Sequence, residues 1–318
     1  MTNTDAKNKQ IDVSVLMTCF NHQEFISEAI RSVHRQVFAG TLELIVADDC
    51  SSDNTCAEVA HWQKIDPRIV VCAGNDRLGV SRNFARALAR ARGKYIAILD
   101  GDDYWLDLHK CQRQFEYLQN HPEVVGVFEA VSIVDQQGQE MRQHFAAEVG
   151  TVLRQSSFVA GYPLTSQTLM LRRAACASYP SWGFATPCQD WVIAWSASAA
   201  GPIVCTGGIS AAYRQSSASV WTALSPRRKL KIFLQMAKLL NLHGALSVNE
   251  HARELQYQAA YRSFRDYVDH DFSLIDALMI AWMISAHAGG TFVRRFTTNA
   301  AWVVRTYLSR MRKGGHLV

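Results

Sequence analysis

The chain has 318 residues, of which 48% are hydrophobic, and it carries a formal net charge of +5. This length and composition exclude a disordered or fibrous protein and predict two domains, or one domain with an appendage. Its eight cysteines form no C-x-x-C pair, so neither a disulfide framework nor a zinc site is indicated. A reducing cytoplasm is expected, because the polar segment Met1 to Gln10 and the short run Val13 to Met17 form no signal peptide.

Four short apolar runs alternate with helical patterns over the first hundred residues. The runs, each predicted to be a buried strand, are Val13 to Thr18, Leu42 to Ala47, Ile69 to Cys72 and Tyr95 to Leu99. Helical spacing is found in Glu24 to Gln36, Ala57 to Gln63 and Ser81 to Ala91, with Ser81 as the expected cap of the third helix. This alternation predicts an α/β fold with a doubly wound, mostly parallel sheet.

The second third of the chain carries weaker signals. Val124 to Val134 and Thr165 to Arg172 are predicted strands, and Asp135 to Gly138 is a predicted turn. Val192 to Ala200 has the apolar composition of a buried helix. From about Ser225 onward, the pattern is that of amphipathic helices without a recognisable motif.

Three carboxylates follow the fourth apolar run, in the segment YIAILDGDDYW from Tyr95 to Trp105. Ligands bind at the carboxyl edge of open α/β sheets. Gly101 allows a tight bend, so Asp100 and Asp102 can point at one spot, and Asp103 adds a third charge. Such close like charges repel unless a cation joins them, and hard oxygen ligands suit Mg²⁺ or Mn²⁺ carried in with a phosphate group.

Two alternatives apply to these acids. They could form a solvated loop before a helix that starts at Asp107 and runs to Tyr117. They could also belong to an EF-hand, but that pattern fails because Cys111 stands at its last ligand position.

A second pair of acids, Asp48 and Asp49, follows the second apolar run in DDCSSDNT. Neither the dinucleotide fingerprint nor a P-loop occurs, so a nucleotide would be held differently, with these acids accepting hydrogen bonds from a base or ribose. A turn followed by a helix cap explains the segment equally well. Two acid-tipped strands in one sheet favour the nucleotide.

Three segments, VSVLMTCFN, LIVADDCSSDNT and NDRLGVSRNFARALARARGKYIAILDGDDYW, together resemble family 2 of the glycosyltransferases, whose nucleotide-binding domain is of the GT-A type. The resemblance covers roughly Val13 to Leu118. It implies that a divalent cation, Mn²⁺ or Mg²⁺, is held by Asp100 and Asp102. It also implies that the nucleotide sugar contacts Thr18, Phe20, Asn21, Asp49, Arg77, Asn83 and Asp100.

The resemblance continues more weakly beyond Leu118. Asp190 corresponds to the catalytic base of the family, with Gln189 where relatives usually have Glu. A helix N-cap is the other interpretation of a lone Asp at this position. Arg214 corresponds to the Arg of a Tyr-Arg-x-His segment, with Ser216 in place of the His, and a phosphate contact is expected from it.

The predicted function is therefore an inverting, metal-dependent glycosyltransferase that moves a single sugar from a nucleotide diphosphate sugar to a hydroxyl acceptor. The acceptor implied by the resemblance is a lipid-linked or surface glycan. Residues 11–118 would bind the nucleotide sugar, residues 119–222 would bind the acceptor and supply the base, and residues 223–318 would form a helical, basic region. The alternatives are a nucleotidyltransferase that makes a nucleotide sugar and a catalytically silent glycan- or sugar-nucleotide-binding subunit.

The basic charge is concentrated at the end of the chain. Ala277 to Val318 has no acidic residue but five arginines and one lysine. Its apolar run Leu278 to Ala286 is too short to span a bilayer, and Phe292 to Val318 mixes aromatic residues with arginines as interfacial helices do. We expect peripheral binding to an anionic membrane surface at the inner face of the cytoplasmic membrane, and no nucleic-acid partner. The alternative is that these apolar residues cover the protein core.

Overall fold

The computed structural model describes residues 10–158, 161–177, 179–215, 224–243, 281, 298–306 and 309. The chain divides into two compact units. The first consists of Met1–Gln155 and Pro163–Thr222, and the second of Ser156–Tyr162 and Ala223–Val318. The predicted division into residues 11–118, 119–222 and 223–318 stays a prediction.

A ten-stranded mixed sheet forms the centre of the first unit. Its strands are β1 (Val13–Cys19), β2 (Leu42–Asp48), β3 (Ile69–Val71), β4 (Tyr95–Asp100), β5 (Tyr104–Trp105), β6 (Gly126–Val134), β7 (Glu140–His144), β8 (Val152–Leu153), β9 (Met170–Arg172) and β10 (Ile203–Arg214). The strand order is β3-β2-β1-β4-β9-β6-β10-β5, with β7 on β6 and β8 on β10. Strands β3, β2, β1 and β4 are mutually parallel, and β6 is parallel to β10. The predicted fold class is confirmed.

Helices alternate with the strands. They are α1 (Ile26–His34), α2 (Thr55–Ile65), α3 (Val80–Arg90), α4 (Lys110–Asn120), α5 (Arg173–Cys176) and α6 (Gln189–Ala197), followed in the second unit by α7 (Pro226–His243). In α1 the buried residues Ile26, Ala29, Ile30 and Val33 recur at the spacing of one helix face, so the helix packs its apolar stripe on the core. Among the described residues, no helix combines the length and apolar character needed to cross a membrane.

One predicted strand is shorter in the structure. Of the expected strand Thr165 to Arg172, only Met170–Arg172 is extended, and Ser166–Thr168 forms a 3₁₀ turn. The physical reason is that side chains occupy its backbone acceptors, since Trp105 donates to the Gln167 carbonyl and Gln114 donates to the Thr168 carbonyl.

Two helices also start at other residues than predicted. Ser81 does not cap α3, because the helix starts at Val80 after Gly79, and the Ser81 hydroxyl donates to the Thr186 carbonyl instead. The helix expected from Asp107 begins at Lys110, since the Asp107 carboxylate accepts from the backbone of His109 and fixes the preceding turn.

Strand register brings the acid-tipped ends together at one edge of the sheet. Thr18 on β1 lies beside Asp100 on β4, and Cys19 lies beside Asp48 on β2. All three strands are parallel, so their carboxyl ends and the loops that follow them share this edge. The candidate site is built there.

Candidate functional site

The turn after β4 is packed tightly against the end of β1. The Thr18 hydroxyl donates to Asp100 Oδ1 at 2.5 Å, and the Gly101 backbone N–H donates to the Thr18 carbonyl at 2.9 Å. A Cβ atom at position 101 would come within 2.9 Å of Cys19 Cβ and Ile26 Cδ1, which is closer than ordinary contact. Glycine is therefore required where the chain bends between the two acids.

Asp100 and Asp102 form an electrostatically strained pair. Burial, followed by repulsion from Asp102 and then from Asp190, raises the pKa of Asp100 to about 7, although the hydrogen bond from Thr18 opposes this rise. The Asp102 carboxylate has no hydrogen-bond or salt-bridge partner among the residues that the structure describes. Its oxygens are consequently open to a ligand.

Asp103 has a different role from its two neighbours. Its Oδ1 accepts from the Arg214 backbone N–H at 2.7 Å, and its Oδ2 accepts from the Gln167 side chain at 2.6 Å. The residue is 2% exposed. Asp103 thus anchors the turn from inside the protein and is not available as a cation ligand.

The chemistry of the turn suits a small divalent cation. Asp100 and Asp102 offer hard carboxylate oxygens, and a cation would remove the repulsion that raises the pKa of Asp100. No group of three or more His, Cys, Asp or Glu side chains in the described part of the chain is arranged to hold a metal ion.

The loops after β1 and β2 are joined by hydrogen bonds. The backbone N–H of Asn21 donates to the Ser51 hydroxyl at 2.9 Å, and the Ser52 N–H donates to Asn21 Oδ1 at 2.8 Å. Asn21 and Cys50 both adopt positive φ, at 55° and 61°. Residues other than glycine rarely hold this conformation, and such strain clusters at ligand-binding loops.

Phe20, Asp49 and Arg77 meet in front of these loops. The Arg77 guanidinium carbon lies 3.8 Å from the centre of the Phe20 ring, and Arg77 Nε is 3.9 Å from Asp49 Oδ2. Asp49 also accepts from the backbone N–H groups of Leu78 and Gly79 at 2.7 and 3.0 Å. The carboxylate therefore shapes the loop that leads into α3, beside an aromatic surface of the kind on which a base can stack.

The side-chain amide of Asn83 is bonded to the protein at both ends. Its amide nitrogen donates to the Ala47 carbonyl at 2.8 Å, its oxygen accepts from Arg86 at 2.6 Å, and the residue is 2% exposed. The expected contact with the nucleotide sugar stays a prediction; in this structure the amide nitrogen holds α3 against β2, and the amide oxygen bonds to Arg86 of the same helix.

Asp190 lies at the start of α6, in the first turn after Gln189. Its Oδ1 accepts from the backbone N–H of Trp191 at 2.9 Å. Burial raises the pKa of Asp190 to about 6, against the effect of backbone hydrogen bonds. Because Asp190 also contributes to the raised pKa of Asp100, the two carboxyl groups share one electrostatic environment.

A cavity of about 260 Å³ separates the start of α3 from the segment that leads to Asp190. Its lining includes Leu78, Ser81 and Arg82 on one side and Phe184 and Thr186 on the other. The hydrogen bond from the Ser81 hydroxyl to the Thr186 carbonyl connects the two sides. An open cleft thus lies beside the segment that leads to Asp190.

Arg214 is 2% exposed, and its guanidinium is occupied by the protein itself. It donates to the carbonyls of Asp102 and Gln136 and to the Glu28 carboxylate, at 3.0, 2.7 and 2.5 Å. The expected phosphate contact stays a prediction, and in this structure the guanidinium is buried and bonded to the protein. Ser216 lies outside the described residues.

Sequence reasoning missed Gln167 and Glu28, which hold Asp103 and Arg214. Gln167 lies 64 positions from Asp103 and Glu28 lies 186 positions from Arg214. Neither forms a local motif, and only their polarity within or beside apolar segments distinguishes them in the sequence.

The chain is similar to known proteins over most of its length. The profile of glycosyl transferase family 2 matches residues 14–179. An uncharacterized protein of Mycobacterium bovis is 27% identical over 219 residues, which are 68% of this chain and 63% of that protein, so the match spans less than two thirds of the relative.

Two further similarities concern named enzymes. The Escherichia coli UDP-Glc:alpha-D-GlcNAc-diphosphoundecaprenol beta-1,3-glucosyltransferase WfgD is 39% identical over 94 residues, which are 30% of this chain and 36% of that protein. The structure of S. aureus TarS 1-349 in complex with UDP-GlcNAc superposes with a TM-score of 0.71 and 16% identity, covering 97% of this chain and 93% of that one. At this identity the superposition establishes the shared fold alone.

Proposed function

The chain belongs to glycosyl transferase family 2, and from this premise we propose that it transfers a single sugar, with inversion, from a nucleotide diphosphate sugar to an acceptor hydroxyl. The observation that carries the proposal is the shared electrostatic environment of Asp100, Asp102 and Asp190. It supports a proposed cation-binding pair and a proposed proton acceptor at the same edge of the sheet.

The donor nucleotide would occupy the joined loops in front of β1 and β2. The base would stack on the Phe20 ring and the exposed Arg77 guanidinium that lies over it, and Asp49 would accept through the lone pairs that its bonds to Leu78 and Gly79 leave free. Thr18 contributes chiefly by holding Asp100. Asn21 contributes chiefly by holding the loop after β2. Because Thr18 bonds to Asp100, the groups for stacking and for polar contacts lie next to the proposed diphosphate site.

Asp100 and Asp102 would hold the Mn²⁺ or Mg²⁺ ion that accompanies the diphosphate. When bound, such an ion supplies Lewis-acid stabilisation of the negative charge on the leaving nucleotide. The contribution of the chain is to present the two carboxylates on a rigid turn, which Gly101 and Thr18 hold against β1.

Asp190 would act as the general base. Its pKa of about 6 makes it a carboxylate at neutral pH and a better proton acceptor than an ordinary Asp. In the transfer step the acceptor oxygen forms a bond to the anomeric carbon, the bond to the diphosphate breaks, and the hydroxyl proton passes to Asp190. Attack opposite to the leaving group inverts the anomeric configuration.

For the acceptor we propose a lipid-linked or surface glycan. The name of the E. coli relative specifies a diphosphoundecaprenol-linked acceptor for that enzyme. The cavity beside Asp190 has the apolar residues Leu78 and Phe184 at its lining, 36% and 41% exposed. Apolar and aromatic side chains of this kind pack against the faces of sugar rings.

A thermal-shift panel tests the proposed donor class directly. UDP, GDP, CMP and dTDP sugars are each added with Mn²⁺, and one nucleotide class should raise the melting temperature. A ligand at 100 times its Kd stabilises the folded state by about 2.7 kcal/mol. A selected UDP, GDP or dTDP sugar should then be transferred with release of the nucleoside diphosphate, whereas selection of a CMP sugar, which releases a monophosphate, would contradict the proposed donor class. If no nucleotide sugar binds, or if the chain instead releases pyrophosphate from a nucleoside triphosphate, the proposal is wrong.

We further propose that the basic C-terminal region binds an anionic membrane surface at the inner face of the cytoplasmic membrane. Most of Ala277 to Val318 lies outside the described residues. Within residues 298–306, Val303 is buried and Trp302 partly buried, whereas Arg305 is exposed. Protein thus covers part of the apolar face there, and positive charge is the main attraction left for the membrane.

Replacing Arg310 and Arg312 by Gln should weaken binding to anionic vesicles about 30-fold. Each basic residue near anionic lipid contributes about 1 kcal/mol, and about 1.4 kcal/mol corresponds to a factor of ten. Vesicle sedimentation at low and high salt measures the affinity for anionic vesicles. Lys64→Gln combined with Arg90→Gln, two exposed positions of the first unit, is the matched control and should change binding by less than twofold. Equal binding to neutral and anionic vesicles would contradict the proposal.

A further inference from the structure

Arg214 occupies the centre of a buried hydrogen-bond network around the acidic turn. Its Nε–H donates to the Asp102 carbonyl at 3.0 Å, and its Nη1 donates to the carbonyls of Asp135 and Gln136 at 3.2 and 2.7 Å. Its Nη2 donates to Glu28 on α1 at 2.5 Å. One side chain therefore ties the acidic turn to the hairpin after β6 and to a helix.

A second set of bonds fixes the next residue of the turn. The backbone N–H of Arg214 donates to Asp103 Oδ1, while Gln167 donates to Asp103 Oδ2 and accepts from Trp105 Nε1 through its own carbonyl. β5, which starts at Tyr104, pairs with β10 through Ala211 and Ala212. The main chain is thus held at Asp102 and at the residues that follow it, while the Asp102 side chain stays open to a ligand.

We propose that Arg214 is a positioning residue that sets the direction of the Asp102 carboxylate and keeps the turn in its cation-binding shape. This inference rests on the proposed function, because it assumes that Asp102 holds the divalent cation. Arg214 also brings a positive charge to a turn with three aspartates, so the turn can keep its shape when the cation leaves with the product.

The fork of the guanidinium is essential to this role. Arginine offers five N–H donors in a fixed plane, and Arg214 directs them at acceptors on three different segments. Lysine keeps the charge but has one ammonium group, which cannot reach acceptors on all three segments at once. Arg214→Lys should therefore free the Asp102 main chain while leaving the local charge unchanged.

Arg172 provides a matched control, because it lies beside the first residue of β4, whereas the acidic turn follows the last residue of β4. It too uses its guanidinium to bond backbone carbonyls, those of Val124, Leu118 and His121, but it pairs with Tyr95 at the start of β4. Arg172→Lys should lower the thermal stability about as much as Arg214→Lys does. It should not change the acidic turn.

The test is Mn²⁺ binding, measured from the free Mn²⁺ signal in electron paramagnetic resonance with saturating UDP and, in a second series, GDP. We expect Arg214→Lys to raise the Mn²⁺ dissociation constant at least about tenfold, within the range of 10- to 100-fold seen when groups that orient metal ligands are lost. Arg172→Lys should change it less than twofold. Transfer by the Arg214→Lys variant should recover at high Mn²⁺ concentration.

Glu28→Gln is a second, milder variant, because Glu28 is about half exposed and its replacement keeps the fold. It should raise the Mn²⁺ dissociation constant in the same direction by a smaller factor, and it decides the question if Arg214→Lys does not fold. Unchanged Mn²⁺ affinity in the folded Arg214→Lys variant, or in Glu28→Gln when that variant decides, overturns the inference. If the unsubstituted chain binds no Mn²⁺ with UDP, with GDP or, in a third series, with dTDP, the metal assignment itself fails, and the role of Arg214 fails with it.

Discussion

Asp190→Asn should lower kcat for sugar transfer by about 10²- to 10⁴-fold, the usual contribution of a general base, while the Kd of the nucleotide sugar stays nearly unchanged. Asparagine keeps the size of the side chain and can still accept from the Trp191 N–H through its amide oxygen. The ability to take up a proton is lost, together with the negative charge that contributes to the raised pKa of Asp100. Steady-state kinetics with the donor identified in the thermal-shift panel, together with donor titration, measures both quantities.

The pH dependence of the same reaction provides a second readout. Because burial raises the pKa of Asp190 to about 6, the carboxylate form is present above that pH and is lost below it. The rate of the unsubstituted chain should therefore fall about tenfold for each pH unit below 6, and the residual rate of the Asn variant should lack this dependence. Asp12→Asn, at the opposite end of β1, is the control and should retain both rate and pH profile. Normal turnover of Asp190→Asn would remove Asp190 from the role of base.

The parallel half of the fold could be predicted from local sequence because each β-α unit carries its own pattern. Buried strands such as Val13–Cys19 and Tyr95–Asp100 are short continuous apolar runs, and α1 has a clear apolar stripe. The acids at the strand ends could also be recognised, because they directly follow the strands in the sequence. Because parallel strands share one carboxyl edge, the sequence pattern also implied that Asp49 and Asp100 belong to one site.

The roles within the site could not be predicted in this way, because they depend on contacts between distant segments. Asp100, Asp102 and Asp103 look alike in the sequence, yet only the partners of Asp103, at positions 167 and 214, separate the anchoring acid from the open one. Asn83 and Arg214 were expected to face a ligand because relatives suggested it. Their burial and their bonds to backbone carbonyls give them structural roles here.

The departure from the expected Glu at position 189 has an electrostatic consequence. A second carboxylate beside Asp190 would raise its pKa further by repulsion, whereas with Gln189 the upward shift is due to burial. The side-chain oxygen of Gln189 is buried and has no hydrogen-bond partner among the residues that the structure describes. A neutral neighbour therefore keeps the Asp190 pKa near 6, which suits a base that must be ionised at neutral pH.

Asp102→Ala should abolish transfer and weaken donor binding, and the loss of binding should be seen only when Mn²⁺ or Mg²⁺ is present. Asp102 is the acid of the turn without a protein partner among the described residues, so its removal deletes a cation ligand and breaks no internal hydrogen bond. Loss of Lewis-acid stabilisation costs several kcal/mol in the transition state, which corresponds to a rate loss of about 10³-fold or more. Thermal stability without cation should stay the same or rise, because repulsion on Asp100 is relieved.

Asp103→Asn is the matched comparison in the same turn. It should lower thermal stability, because its bond to Gln167 or to the Arg214 backbone is impaired, but donor binding should still respond to Mn²⁺. Donor titrations of both variants with Mn²⁺ and with EDTA separate the two roles. If EDTA leaves transfer by the unsubstituted chain untouched, or if Asp102→Ala and Asp103→Asn lose the cation response equally, then Asp102 is not the specific cation ligand of the turn.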